Sequence, residues 1–127
     1  MIRIVVSGLC AGEICRLASE LGREHVSIRE TIDIAGATDV AQGRADYYFG
    51  ACATGAGGAL AMAIAILGYD RCFTASMVGC PPKEAEIQAA IASGKRAFGF
   101  TVDHIDRTVR MLMAAILTYH KESGDSG

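Results

Sequence analysis

The residues best suited to chemistry lie in a glycine-rich segment that directly follows an aromatic run at residues 47–49. Glycine lets the backbone approach a ligand closely, and the amide groups that open a following helix attract an anion. We therefore predict an anion-binding turn between a strand and a helix; the alternative is that the glycines serve only close packing. The residues predicted to bind the anion are Thr54, Gly55, Ala56, Gly57 and Gly58.

Two thiols and one imidazole are candidates for covalent or proton-transfer chemistry. Cys52 lies at the start of the glycine-rich turn, where the positive end of the helix dipole would favour its thiolate form as a base or nucleophile. Cys10 follows the first apolar run of the chain. His104 follows Asp103 at a predicted helix start, where it has either a capping or an acid–base role. The alternatives are inert buried cysteines and a histidine at the surface.

All of these residues follow apolar runs that predict strands. Ser7 and Gly8, which end the first run, are further ligand-binding candidates. Because ligands bind beyond the carboxyl ends of the strands in parallel sheets, we expect these side chains on one rim. The thiols and His104 lack the closely spaced ligand pairs that zinc sites show, so no metal site is predicted.

Apolar runs alternate with helical patterns along the whole chain. Strands are predicted at residues 2–6, 26–29, 47–49, 71–74 and 97–100, and helices at 11–21, from a cap at Thr38 or Asp39 to about 43, at 55–67, from Pro81-Pro82 to about 94, and at 103–119. Such alternation predicts an α/β fold, a single-domain three-layer sandwich with a mainly parallel five-stranded sheet, flavodoxin-like or Rossmann-like. We expect one domain over residues 1–122, a flexible tail at 123–127, and exposed side chains for His25 and His120.

Composition restricts the class of protein. The 127 residues include 51% hydrophobic and 20% charged residues, with a net charge of −2, which favours neither nucleic acid nor a membrane surface as a partner. Five cysteines without a CxxC pair indicate reduced thiols and a cytoplasmic location. The GxGxxG/A pattern fails at Leu60 and the Gly-x4-Gly-Lys-Ser/Thr pattern is absent, so no nucleotide cofactor is predicted.

Residues 47–69 carry no charged side chain and are long enough to cross a bilayer. Their glycine-rich half would expose unpaired backbone groups to lipid, so a buried strand followed by a buried helix is the better interpretation. This helix has no polar side chain between Ala59 and Leu67, which predicts burial on every side. We therefore expect a homo-oligomer that forms through this helix.

Two longer motifs resemble known families. Residues 46–60 (DYYFGACATGAGGAL), residues 63–69 (AIAILGY) and the closing Gly94-Lys95, Ala97-Phe98-Gly99-Phe100 and Asp103-His104 resemble the YhfU-like bacterial proteins. The resemblance covers nearly the whole chain. Because that family has no assigned function, it implies a fold and not a reaction.

The second resemblance is local. Residues 52–57 (CATGAG) are similar to the Cys-Gly-Ser/Thr-Gly-x-Gly loop of type-B ribose phosphate isomerases, which are Rossmann-like enzymes. This resemblance implies that the loop binds a sugar phosphate and that Cys52 acts as the proton-transfer base. Those isomerases also carry an Asp-His pair after the first strand, whereas Leu9-Cys10 stands here.

Three functional hypotheses follow from these observations. The first is binding of a small phosphorylated or carboxylated metabolite at the glycine-rich turn. The second is a sugar-phosphate isomerase in which Cys52 is the base and the turn stabilises an enediolate-like anion. The third is a phosphocarrier on Cys10, resembling the enzyme IIB subunits of sugar phosphotransferase systems.

Overall fold

Five strands alternate with five helices in the computed structural model, which describes residues 1–53 and 58–123. The strands are β1 (Ile2–Gly8), β2 (Val26–Glu30), β3 (Tyr47–Cys52), β4 (Cys72–Thr74) and β5 (Ala97–Thr101). The helices are α1 (Ala11–Gly22), α2 (Asp33–Ala41), α3 (Gly58–Leu67), α4 (Glu84–Ala92) and α5 (Ile105–Glu122). Short 3-10 turns at Arg23–His25, Tyr69–Arg71 and Val102–His104 connect some of them.

The strands form one sheet in the order β2-β1-β3-β5-β4, with parallel pairing throughout. The predicted α/β fold with a five-stranded parallel sheet is thereby confirmed. The order differs from the flavodoxin arrangement at one end, because β5 is inserted between β3 and β4. All five residues of β5 are buried, whereas the three-residue β4 is left at the edge.

Alternating side chains of the strands supply two separate cores. On one face, Ile4, Phe49 and Phe98 pack with residues of α1, α4 and α5. On the other face, Val5 and Tyr48 pack with residues of α2 and α3. The period of two along each strand thus produces three layers, with the sheet in the middle.

Two predicted features of the helices are wrong. Helix α2 begins at Asp33, not at a cap formed by Thr38 or Asp39. Asp39 lies in the second half of this helix and is buried, and its carboxylate accepts hydrogen bonds from Arg29 (2.8 Å) and Arg44 (2.9 Å). The helix predicted to open at the proline pair begins two residues later, at Glu84.

His120 was expected at the surface, and this expectation is wrong. The residue is buried, and its Nε2 atom lies 2.8 Å from the hydroxyl oxygen of Tyr47. The reason is that α5 extends to Glu122, and His120 follows the buried Ile116 by one helical turn. Of the predicted tail, only Ser123 lies within the described residues.

The apolar helix α3 is covered on one side. Leu60 and Ala63 are buried against the sheet, while Ala61, Ala65 and Ile66 are exposed on the single chain. Among the helices within the described residues, none is long and apolar enough to cross a membrane.

Candidate functional site

The carboxyl ends of the three central strands lie side by side. Gly8 of β1 pairs with Ala51 of β3, and Cys52 of β3 pairs with Thr101 of β5. The amide of Leu9 donates a hydrogen bond to the Ala51 carbonyl oxygen at 3.0 Å, which holds the end of β1 against β3. The structure therefore brings Gly8 and Cys52 to one rim, which we call the carboxyl rim.

Gly8 is required by this close approach. Its φ is +88°, and a Cβ atom built on it would lie 2.3 Å from the Ala51 carbonyl oxygen. The chain then turns through Cys10, which also has a positive φ of 56° and begins α1 with an exposed side chain. Gly8 thus has a structural role in the contact between β1 and β3. Its role in ligand binding stays a prediction.

The glycine-rich turn itself falls mostly outside the described residues. Thr54, Gly55, Ala56 and Gly57 are not described, and Gly58 is the first residue of α3. On the near side of the turn, Cys52 ends β3 with a partly buried side chain, and the exposed Ala53 follows it.

Ser7 belongs to a buried hydrogen-bond network. Its hydroxyl donates to Asp33 Oδ1 at 2.5 Å and is also hydrogen-bonded to the Tyr48 hydroxyl. The Tyr48 oxygen lies 3.3 Å from the same Asp33 oxygen. Ser7 is 1% exposed and Tyr48 is fully buried, whereas Asp33 reaches the surface.

Burial is the main reason that the pKa of Tyr48 is raised well above its ordinary value, and the negative charge of Asp33 adds to the effect. The phenol therefore remains protonated and serves as a donor. Sequence reasoning identified Ser7 but missed Asp33 and Tyr48. The available indication was the position of Asp33 just after the predicted second strand, at the same end of the sheet.

A cavity of about 510 Å³, which is a surface cleft wide open to solvent, lies beside this network. It is lined by Gly8, Thr31, Ile32, Asp33, Ile34 and Met62. Its volume is in the range of pockets that hold small molecules. The cavity joins the carboxyl rim to α2 and α3, because Gly8 belongs to both the rim and the cavity wall.

His104 lies beyond the end of β5, three residues after Thr101. Its Nε2 atom is buried, lies 3.5 Å from Asp103 Oδ2, and has no hydrogen-bond partner among the described residues. Because Thr101 pairs with Cys52, His104 follows the strand next to β3 at the same rim.

Buried hydroxyl groups hold the carboxyl end of β5 in place. Ser76 Oγ accepts hydrogen bonds from the Thr101 amide at 3.2 Å and from Thr108 Oγ1 at 3.3 Å. All three residues are buried, so this cluster is a support for the rim. In the parts of the chain that the structure describes, no group of three or more His, Cys, Asp or Glu side chains could hold a metal ion.

A five-stranded parallel sheet with helices on both faces defines the class of protein as Rossmann-like α/β. Residues 2–116 match the family of proteins of unknown function DUF2620, and the chain belongs to this family. The uncharacterized protein YhfU of Escherichia coli is 44% identical over 81 residues, which are 64% of this chain and 69% of the relative. YhfU of Shigella flexneri matches to the same extent. The predicted relation to the YhfU-like proteins is confirmed.

Two solved structures share the fold. Ribose-5-phosphate isomerase B from Giardia lamblia superimposes with a TM-score of 0.69 and 18% identity, covering 93% of this chain and 94% of that one. Type B ribose 5-phosphate isomerase from Trypanosoma brucei gives a TM-score of 0.64 and 18% identity, covering 92% and 86%. At this identity the likeness concerns the fold.

Proposed function

We propose that this protein binds a small phosphorylated or carboxylated metabolite at the carboxyl rim, beside the turn of residues 53–58. The observation that carries the proposal is the agreement of two separate likenesses. The sequence of residues 52–57 is similar to the sugar-phosphate loop of type-B ribose phosphate isomerases. The fold as a whole is similar to two ribose-5-phosphate isomerases of type B.

The arrangement of the elements supports an anion at this place. Helix α3 begins at Gly58, six residues after β3 ends at Cys52, so its N-terminal amides lie at the carboxyl rim. Amide groups at a helix N-terminus stabilise an anion through hydrogen bonds and through the helix dipole. The rim residues Gly8 and Ala53 are exposed and carry little or no side chain, so they leave room for a ligand.

A thermal-shift series with inorganic phosphate, sugar phosphates and small carboxylic acids tests the proposal. A ligand at 100 times its dissociation constant adds about 2.7 kcal/mol to the free energy of unfolding. For a chain of this length, that amounts to a rise in Tm of roughly 10 °C. Neutral sugars are the control, and the absence of a response to every anion would refute the proposal.

A charge placed at the rim makes the test specific. Ala53 is exposed, so Ala53→Asp leaves the core intact while placing a carboxylate beside the bound anion. We expect the anion-dependent rise in Tm to be largely lost. Ala89→Asp is the matched control. Ala89 is exposed near the end of α4, which leads to the first residue of β5 and hence to the end of the sheet away from the carboxyl rim. Equal responses of both variants would place the anion elsewhere.

Isomerisation of a sugar phosphate is a second candidate, favoured by the position of Cys52 at the carboxyl end of β3 in this fold. A base takes a proton from the carbon next to a carbonyl group, and an enediolate forms. The proton then returns to the former carbonyl carbon, and the hydroxyl proton moves from the C2 oxygen to the C1 oxygen, so aldose becomes ketose without any external oxidant. His104, at the neighbouring strand end, offers a second proton-transfer group.

Cys52→Ser separates binding from catalysis. Under the binding hypothesis the variant keeps the anion-dependent rise in Tm, and under the isomerase hypothesis it loses conversion of aldose phosphate to ketose phosphate. Cys80→Ser is the control for loss of a thiol, because Cys80 is exposed. A phosphate group found on Cys10 by mass spectrometry would instead support the phosphocarrier hypothesis.

A further inference from the structure

We propose that the cavity beside β1, α2 and α3 binds the hydroxyl-bearing carbon skeleton of a sugar or polyol, with the Asp33 carboxylate accepting hydrogen bonds from its hydroxyl groups. The inference rests on the proposed function, because it assigns the part of the same ligand that does not carry the anion. It identifies Asp33 as a binding residue.

Asp33 is held in a defined orientation. The Ser7 hydroxyl donates to Asp33 Oδ1, and the Tyr48 hydroxyl oxygen lies 3.3 Å from the same atom. A carboxylate offers about four acceptor positions on its two oxygens, so Asp33 retains acceptor capacity for donors from the cavity. Because both hydroxyl groups are buried and therefore ordered, the carboxylate is positioned before any ligand arrives.

Apolar side chains also line the cavity. Ile32 is 71% exposed and Ile34 is 55% exposed, and both line the cavity together with Met62. A sugar or polyol has carbon–hydrogen surfaces that pack on such side chains and hydroxyl groups that donate to a carboxylate. An apolar wall with a few placed polar groups is the usual composition of a small-molecule site.

The cavity and the proposed anion site are adjacent. Gly8 lines the cavity and is paired with Ala51, the residue just before Cys52. Met62 lines the cavity from α3, the helix whose first turn lies at the rim. A sugar phosphate whose phosphate lies near the N-terminus of α3 would therefore extend its hydroxyl-bearing carbons toward Asp33.

Calorimetric titration with five probes tests this assignment: inorganic phosphate, ethyl phosphate, ribose 5-phosphate, glucose 6-phosphate and glycerol 3-phosphate. We expect at least one polyol phosphate to bind more tightly than inorganic or ethyl phosphate. Asp33→Asn should weaken the binding of that polyol phosphate by about tenfold or more, since hydrogen bonds to charged groups are stronger than hydrogen bonds between neutral groups. The affinity for ethyl phosphate should not fall. Asp70→Asn, at an exposed residue, removes the same charge and should change neither affinity.

A second variant guards against a loss of folding. Ile32→Ser changes a largely exposed side chain, so it should leave Tm nearly unchanged. It should weaken the binding of the polyol phosphates and leave that of ethyl phosphate unchanged. The inference is overturned if no polyol phosphate binds more tightly than ethyl phosphate, or if Asp33→Asn leaves that preference unchanged. If none of the five probes binds, the proposed function itself fails, and the two outcomes are thus distinguishable.

Discussion

Replacing Gly8 with alanine tests how the carboxyl rim is built. The new Cβ atom would lie 2.3 Å from the Ala51 carbonyl oxygen and 3.1 Å from its amide nitrogen, at a φ of +88°. The left-handed backbone conformation costs an alanine about 1–2 kcal/mol. Forcing the two strand ends apart adds about 1–3 kcal/mol, as overpacking does elsewhere. We therefore expect a loss of about 2–5 kcal/mol in the free energy of unfolding.

Gly43→Ala is the matched control for this substitution. Gly43 has a similar φ of +77°, but its Cβ atom would meet nothing within 4 Å, so only the backbone conformation is penalised. The difference between the two variants in urea unfolding measures the contact between β1 and β3. Equal losses of stability in the two variants would refute the close approach at the rim. A further readout is the anion-dependent rise in Tm, which Gly8→Ala should reduce and Gly43→Ala should preserve.

Three other predictions concern stability, assembly and reactivity. Hydrogen bonds from Arg29 and Arg44 lower the pKa of Asp39 below 3.8. The ionised Asp39 therefore stabilises the fold above that pH, and this stabilisation is lost as the pH falls through the lowered pKa. Asp39→Asn should thus cost about 1 kcal/mol at pH 7 and little at pH 2, as measured by urea unfolding. If α3 forms the predicted contact between subunits, Ile66→Asp should lower the mass found by analytical ultracentrifugation, whereas Ala89→Asp should not; equal masses for both variants would contradict this. Burial raises the pKa of the Cys72 thiol, so iodoacetamide at pH 8 should modify the exposed Cys80 well before Cys72, and comparable rates by mass spectrometry would contradict the burial.

Local patterns were sufficient for most of the elements. The type of β1 was clear from a short β-branched run that stops at Ser7-Gly8, and that of α5 from an apolar stripe at helical spacing. The predicted start of α2 is several residues too late, because aspartate is a residue type that favours the N-cap and Asp39 was interpreted in that way. Only the folded chain brings Arg29, on β2, and Arg44, just after α2, to that carboxylate, and these ion pairs stabilise a charged side chain at that place in the helix.

The candidate site was predictable in part. The rim itself follows from parallel strands, because the residues after each strand must lie at the same edge. The network of Ser7, Asp33 and Tyr48 could not be predicted from the sequence. Ser7 is 26 positions from Asp33 and 41 positions from Tyr48 along the chain. No local pattern marks such a meeting of side chains.

The glycine-rich turn that begins at Cys52 could be recognised from the sequence alone, because its residue types and spacing are local properties of the chain. So could the alternation of strands and helices, and hence the α/β class. Tertiary structure alone decided the strand order, which inserts β5 next to β3 and thereby pairs Thr101 with Cys52. It also decided that Asp33 lines a cavity beside Gly8, because only packing of α2 and α3 on the same face of the sheet brings the lining residues together.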